Sequence, residues 1–326
     1  MREYINTHVV QPGVSGEELM WAMESAVRER SRKGVEAVMA LAADGPWERV
    51  PEKGASPYLV DTECEEVDEI AAYAAVMPAG VRMAAAAGWS GGVRQLLAGG
   101  ALPDVADAEG NTALMCAAQA GSAECVRMLL AAGAQAEAAN AKGKTALMYA
   151  ARADAPAAVQ ALLEAGANGA ARDARGYSAF MHAAEQASPQ VMRLLLPGAP
   201  ADEVHACSAQ GWTLLSLAAM YNAADSVQLL LDLGAGVNTP GKYGMTPLMC
   251  AVHRGVGGAP VLHTLLAAGA NPHQTTPNGD TAYTLAEQSD YTYALHLFHP
   301  TPPHPTPPAA HRREPRTEVH RSWLSG

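Results

Sequence analysis

The sequence predicts an all-α repeat solenoid, a stack of helix-turn-helix units joined by hairpin loops. The first observation is a block that starts Gly-x-Thr or Gly-x-Ser and runs into an apolar stretch with two small residues, Ala-Ala in most copies. The second observation is its spacing. The leading glycines stand at positions 110, 143, 176, 211, 244 and 279, in steps of 33, 33, 35, 33 and 35 residues. A period of this length is typical of stacked solenoids, in which each unit packs on its neighbours.

The unit that starts at Gly110 shows why each repeat should form two helices. Thr112 stands where a helix N-cap is expected, because its hydroxyl can accept a hydrogen bond from a backbone N–H two or three residues later. Two apolar stretches at helical spacing follow, separated by Gly121. Gly133 marks the end of the second helix, where glycine adopts positive φ without the steric cost of a Cβ. Later caps are predicted at Thr145, Ser178, Thr213, Thr246 and Thr281.

These recurring positions resemble the ankyrin repeat. The pattern Gly-x-Thr-x-Leu, then Ala-Ala, Gly, Val-x-x-Leu-Leu and Gly-Ala covers roughly residues 78–298, or about six to seven repeats. The resemblance implies that each repeat is a hairpin loop followed by two antiparallel helices. One departure is systematic: where that family usually has His after the Leu, this chain has Met, Ser or Thr.

The chain is expected to divide into four parts. Residues 1–15 are predicted to be a flexible N-terminus, and 16–77 a degenerate N-terminal cap repeat plus an acidic insertion. Residues 78–298 form the array, and 299–326 are a disordered tail rich in Pro and His. The acidic run 61–69 is predicted to be a solvated helix start, with a docking patch for a basic partner as the alternative. The tail contains PxxP spacings, so an SH3-like or WW-like domain is a candidate partner for it.

Composition narrows the classes of partner. A net charge of -11 repels phosphate backbones, so no nucleic acid is expected. No apolar run reaches the ~18–20 residues of a membrane span, so no membrane partner is expected. The odd number of cysteines and the lack of CxxC spacing predict free thiols. We therefore expect a monomer in the cytoplasm, with the nucleus as the alternative compartment.

Two segments imitate chemical motifs. Gly88–Gly92 matches the G-x-S-x-G nucleophile elbow, but that elbow needs a preceding strand and the alanine run before Gly88 predicts a helix. Residues 138–145 approach a P-loop, yet Gly143-Lys-Thr145 is the local copy of the repeated Gly-x-Thr block. The His-rich tail lacks the ligand spacing of a zinc site. We expect no enzyme, no cofactor and no metal.

The resemblance also implies where a partner would bind, along the hairpin tips and the concave face made by the first helices. Aromatic and arginine side chains dominate interface hot spots, and several fall at positions predicted to be exposed in the central repeats. The candidate partner-binding residues are Arg175, Tyr177, Trp212, Met220, Tyr221, Tyr243, Met245, His253 and Arg254. The alternative is that Trp212 and the tyrosines fold back over the neighbouring hairpin as local packing.

The predicted function is that of a non-catalytic interaction scaffold or adaptor that binds a protein partner through these central repeats. One alternative is a regulatory or inhibitory subunit, or a structural tether. Another is an enzyme whose catalytic unit lies in residues 1–77, with the array presenting substrate. Fold alone does not separate the scaffold from the subunit, because function lies in the variable surface.

Overall fold

The computed structural model describes residues 16–30, 33, 35, 79–198, 202–253 and 259–298. The predicted flexible N-terminus, the acidic run 61–69 and the Pro/His-rich tail lie outside these residues. Within them the regular elements are helices and two isolated β-bridges. The α-helices before residue 160 are α1 (Gly16–Arg28), α2 (79–86), α3 (Ser90–Ala98), α4 (Ala113–Gln119), α5 (Ala123–Ala131), α6 (Ala146–Arg152) and α7 (Pro156–Glu164). The later α-helices are α8 (Ala179–Glu185), α9 (Pro189–Leu195), α10 (Leu214–Met220), α11 (Ala224–Asp232), α12 (Pro247–His253), α13 (Ala259–Ala267), α14 (Ala282–Gln288) and α15 (Thr292–Phe298).

The first helix of most repeats starts at the predicted hydroxyl cap. The Thr112 hydroxyl accepts a hydrogen bond from the N–H of Met115 at 3.3 Å, as predicted. The same bond recurs at Ser178, Thr213, Thr246 and Thr281. Thr145 is the exception: it holds the N-cap position of α6, but its buried hydroxyl has no hydrogen-bond partner among the described residues. The predicted cap bond is therefore wrong at this one site.

The second helices end at glycines with positive φ. Gly133, Gly166, Gly234 and Gly269 have φ of 93°, 86°, 88° and 88°. A Cβ at each would meet nothing within 4 Å, so space does not require glycine here. The left-handed backbone does, because an L-residue with a Cβ pays a steric cost in that region.

The helices stack in two rows and share one core. First helices pack on the first helices of adjacent repeats, as α4 on α6 and α10 on α12, and second helices do the same, as α5 on α7. Small buried residues such as Ala117 and Ala150 let the first helices approach closely. The cluster of buried side chains continues from Ala22 in α1 to Phe298 in α15. Each fully buried leucine contributes roughly 1.5–3 kcal/mol through the area it removes from water.

The N-terminal helix joins the array directly. Met23 of α1 is fully buried and lies against Gly80 of α2. The Arg30 guanidinium donates to the carbonyl of Ala87 at 3.0 Å. The described residues of segment 16–35 therefore extend the core of the array.

One repeat departs from the regular plan. Helix α9 spans seven residues where α7 and α11 span nine, and a 3-10 turn (Leu196–Gly198) follows it. A second 3-10 turn (Glu203–His205) buries Glu203, whose carboxylate accepts hydrogen bonds from Ser178 and Arg172 at 2.5 and 2.8 Å. These bonds connect the second 3-10 turn to the preceding hairpin.

Two further facts concern the described residues. None of their helices is both long and apolar enough to cross a bilayer. Their four cysteines, Cys116, Cys125, Cys207 and Cys250, are free thiols.

Candidate partner-binding face

A polar side chain at the start of most hairpins positions the tip that follows, whereas the hairpin with Tyr243 has Gly241 there. Asp173 Oδ1 accepts hydrogen bonds from the backbone N–H groups of Arg175 and Tyr177, both at 2.9 Å. Asn140 does the same for Lys142 and Lys144. These bonds satisfy tip N–H groups that no helix could satisfy, so the tips are rigid.

Neighbouring hairpins are hydrogen-bonded to one another. The N–H of Ala141 donates to the carbonyl of Glu109 at 2.9 Å, and the N–H of Ala174 donates to Lys142 at 2.9 Å. The N–H of Ala209 continues the series to Arg175 at 3.0 Å. The tips therefore form an ordered row beside the first helices, and we call this surface the tip face.

The tip face carries a compact polar cluster at the repeat that starts at Gly176. The Arg175 guanidinium carbon lies 4.0 Å from the centre of the Tyr177 ring, in cation–π contact. The same guanidinium reaches Glu185 at 3.2 Å. Burial, followed by the Glu185 charge, raises the pKa of Tyr177 to about 12, so its phenol is neutral at physiological pH.

His182 lies beneath this cluster between two carboxylates. Its Nε2 is 3.1 Å from Asp173 Oδ2, and its Nδ1 is 3.4 Å from Glu185 Oε2. An Asp–His pair is part of a nucleophile-activating triad, but that triad needs a hydroxyl or thiol on the other imidazole nitrogen. Here a carboxylate faces that nitrogen and the ring is buried, so the pair fastens the hairpin to α8. Sequence reasoning missed His182, although it stands at a position that is Cys116, Tyr149 or Leu217 in other repeats.

Three of the predicted exposed side chains are buried. Tyr177, Trp212 and Met245 are 4%, 7% and 6% exposed, so the prediction of exposure is wrong for them. The cause is local packing of the kind considered as the alternative: the Tyr177 ring lies 5.5 Å from the His182 ring, and Trp212 lies under Lys242 of the next hairpin.

The remaining predicted residues are more accessible. Tyr221 and Tyr243 are 40% and 46% exposed, which confirms their predicted exposure. Arg175 is exposed as well, while Met220 and His253 are half-buried. Arg254 lies outside the described residues. The accessible part of the candidate set is therefore centred on Arg175, Tyr221 and Tyr243.

Cations that the candidate set omitted line the same surface. Lys142 and Arg152 are exposed, and Lys144 lies half-buried 5.8 Å from the Tyr149 ring. Burial and then the nearby Arg152 charge lower the pKa of Lys144, and Arg175 acts in the same direction, while the charges of Asp173 and Glu185 partly oppose this shift. Further along the row, Lys242 lies 4.9 Å from the Tyr243 ring. The signal for Lys142, Lys144 and Lys242 was their place near the hairpin glycines, and for Arg152 its place directly after the paired alanines.

The chemical motifs have the surroundings that were predicted. Residues 79–86 before Gly88 are helical, and Ser90 begins α3 after a turn. The P-loop-like segment is a hairpin closed by the bridge between Ala139 and Thr145. Across the part of the chain that the structure describes, no three His, Cys, Asp or Glu side chains converge as metal ligands would.

Comparison with known proteins identifies the repeat family to which this arrangement is similar. A family model described as ankyrin repeats (3 copies) matches residues 82–173 and 180–276, more than half of the chain. The human ASB11 ankyrin repeat domain superposes with a TM-score of 0.60 at 29% identity, covering 69% of this chain and 99% of that chain. The ankyrin repeat domain of Bcl-3, titled a unique member of the IkappaB protein family, gives 0.52 at 29% identity, covering 66% and 97%. A search of curated proteins gave no significant match.

Proposed function

Because the chain belongs to the ankyrin-repeat family, we propose that it is a non-catalytic scaffold or adaptor that binds a protein partner through its tip face. Ankyrin repeats are generally protein–protein interaction modules. The observation that carries the proposal for this chain is the exposure of Arg175, Tyr221 and Tyr243 in three successive repeats. Arginine and tyrosine are enriched among residues that dominate binding energy.

The backbone of Tyr243 supports the same surface. Of the residues that precede a hairpin glycine in the described repeats, Tyr243 alone has positive φ, at 61°. A bulky residue pays roughly 1–2 kcal/mol in this region, where Asn or Gly pays less. Strained positions of this kind cluster at functional sites. An exposed aromatic ring maintained at such a cost is expected in an interface.

The rigidity of the tips favours affinity. Binding orders side chains and loops at a cost of about 0.5–1.5 kcal/mol for each immobilised flexible side chain. Hydrogen bonds within and between the hairpins have already ordered this backbone. A partner therefore meets a surface that needs little rearrangement.

The test is capture of partners from lysate by the full chain and by a Tyr221→Ala/Tyr243→Asn variant. Asn tolerates positive φ, so the variant should fold with unchanged helicity by circular dichroism. The matched control is Tyr293→Ala, which removes an equally exposed tyrosine from the row of second helices. Proteins retained by the control and lost from the double variant support the proposal, and identical capture by all three proteins contradicts it.

A further inference from the structure

The middle of the tip face is positively charged although the chain is acidic overall. Lys142, Lys144, Arg152 and Arg175 come from two adjacent repeats and form what we call the cationic patch. The next hairpin tip on one side carries Glu109, and the next tip on the other side carries the uncharged Gln210 and Trp212. The chain as a whole has a net charge of -11. A local reversal of sign within such a chain needs a reason beyond solubility.

The four cations lie close together. The carbonyl of Lys142 accepts a hydrogen bond from Ala174, so the tips with Lys142 and Arg175 are adjacent. Burial lowers the pKa of Lys144; the Arg152 and Arg175 charges lower it further and the Asp173 and Glu185 charges raise it, so all four charges lie within interaction range of its ammonium group. The patch is therefore one electrostatic unit.

The carboxylates around the patch are already engaged. Asp173 is buried, with one oxygen on two backbone N–H groups and the other on His182. Glu185 lies between Arg175 and His182. Asp154, two residues after Arg152, accepts the hydroxyl of Ser188. Within the described residues, Lys142, Lys144 and Arg152 form no ion pair with a carboxylate.

The spacing of the patch fits an extended chain. Neighbouring packed helices are typically 8–10 Å apart, and hence so are equivalent positions in adjacent repeats. A peptide in the extended polyproline II conformation has three residues per turn and advances about 3.1 Å per residue, so carboxylates three residues apart lie on the same side at a separation of about 9 Å. Glu or Asp at every third position would meet the cations of both repeats in turn.

Resting on the proposed function, we propose that the cationic patch binds an extended acidic segment of the protein partner. Its carboxylates pair with Lys142, Lys144 and Arg152, while the Arg175–Tyr177 pair forms the adjoining wall. Polyphosphates fit less well, because the negative net charge of the chain repels them at long range and Glu109 limits the length of the patch on one side. A short carboxylate-rich segment suits both limits.

The charge of Lys144 is not expected to stabilise the fold. Lys144 is charged in a place that lowers its pKa, so the fold disfavours its charged form relative to the unfolded chain. Removing that charge should leave thermal stability unchanged or slightly higher.

The probe is a fluorescein-labelled peptide of four Glu-Gly-Ser units, with the same peptide carrying Gln for Glu as its control. Binding to the full chain is measured by fluorescence anisotropy. The test variant is Lys142→Gln/Lys144→Gln/Arg152→Gln. The matched control is Arg94→Gln/Arg127→Gln/Arg193→Gln, which changes the net charge equally on exposed positions of the second helices.

We expect the test variant to bind the acidic peptide roughly tenfold more weakly, and the control variant to bind within about twofold of the parent protein. The Gln peptide should also bind about tenfold more weakly, and salt should weaken the acidic peptide alone. Equal losses in both triple variants, equal binding of both peptides, no binding by the parent protein, or tighter binding of a single-stranded oligonucleotide of similar length would each overturn the inference.

Failure here is distinct from failure of the proposed function. If lysate partners depend on Tyr221 and Tyr243 but the acidic peptide does not bind, the proposed interaction surface is supported and the inference of an acidic segment is overturned. Peptide binding that depends on the patch, without tyrosine-dependent partners, would uphold the patch and contradict the wider surface.

Discussion

Asp107 and Asp173 occupy the same position in hairpins two repeats apart, and each uses one carboxylate oxygen to accept two backbone N–H groups. Their second oxygens differ. In Asp107 it accepts the amide of Asn111 at 3.0 Å, at a half-exposed site. In Asp173 it lies 3.1 Å from His182 and is buried. One backbone plan therefore supports a solvated turn in one repeat and a buried ionic cluster in the other.

The same contrast runs through the rest of the two repeats. Thr112 and Ser178 cap their helices in the same way. Between these shared elements, Cys116 is replaced by His182, and Gln119 by Glu185. Caps, turn glycines and paired alanines build the repeat, and the residues between them define its surface chemistry.

The largest expected difference is the cost of removing the two aspartates. Asp173→Ala leaves two tip N–H groups and His182 without an acceptor in a buried site, and should lower the free energy of unfolding by about 3 kcal/mol. Asp107→Ala acts where water can replace the carboxylate and should cost about 1 kcal/mol. Urea unfolding followed by circular dichroism measures both. Equal losses would show that the buried cluster adds nothing to the shared turn.

Asp173→Asn sharpens this result. Asn140 holds the same position in the intervening repeat and accepts both tip N–H groups. The Asn variant should therefore recover part of the loss, and the remaining deficit reports the contact between the carboxylate and His182.

A smaller difference is expected between two hairpin glycines. Gly176 and Gly211 have φ of 73° and 82°, so alanine at either pays roughly 1–2 kcal/mol for a left-handed backbone. A Cβ at Gly176 would also come within 2.5 Å of the Ala209 nitrogen in the next hairpin, whereas at Gly211 its nearest neighbour is 3.6 Å away. Gly176→Ala should therefore lower the thermal midpoint more than Gly211→Ala. Equal shifts would mean that the neighbouring hairpin moves to accommodate the Cβ without loss of stability.

The smallest expected effect concerns Tyr177, whose counterpart Asn111 does not titrate. Because burial raises the pKa of Tyr177 to about 12, the folded protein favours the neutral phenol. The unfolded chain releases that proton nearer pH 10, so stability falls as pH rises from about 10 to 12. Tyr177→Phe should flatten this fall, as measured by urea midpoints at several pH values. Parallel pH profiles for the two proteins would contradict the buried environment of the phenol.

The helix boundaries could be predicted because they depend on local contacts. The hydroxyl of a cap residue such as Thr112 accepts a hydrogen bond from a residue three positions later. A glycine such as Gly133 is favoured because its own backbone has a positive φ. Six copies of the block reinforced each signal, so one ambiguous residue did not change the prediction. Thr145 shows the limit, since the right residue in the right place lacks the expected bond.

The candidate site was less predictable because side-chain direction depends on the neighbouring repeat. Tyr177 and Trp212 stand at hairpin positions expected to be exposed, yet His182 covers one ring and Lys242 the other. The contact of Glu203 with Arg172 spans 31 residues and crosses the repeat whose second helix, α9, stops after seven residues. The repeat pattern of the sequence does not predict such contacts.

The sequence by itself determined that this chain is a stack of ankyrin repeats, where its helices begin and end, and which residues stand on the hairpins. Those features follow from backbone preferences and from apolar spacing, which act over a few residues. Only the tertiary structure decided which of those hairpin residues are accessible and which charges remain unpaired. Burial and ion pairing are set when one repeat packs on the next, and that contact joins residues about 30 positions apart.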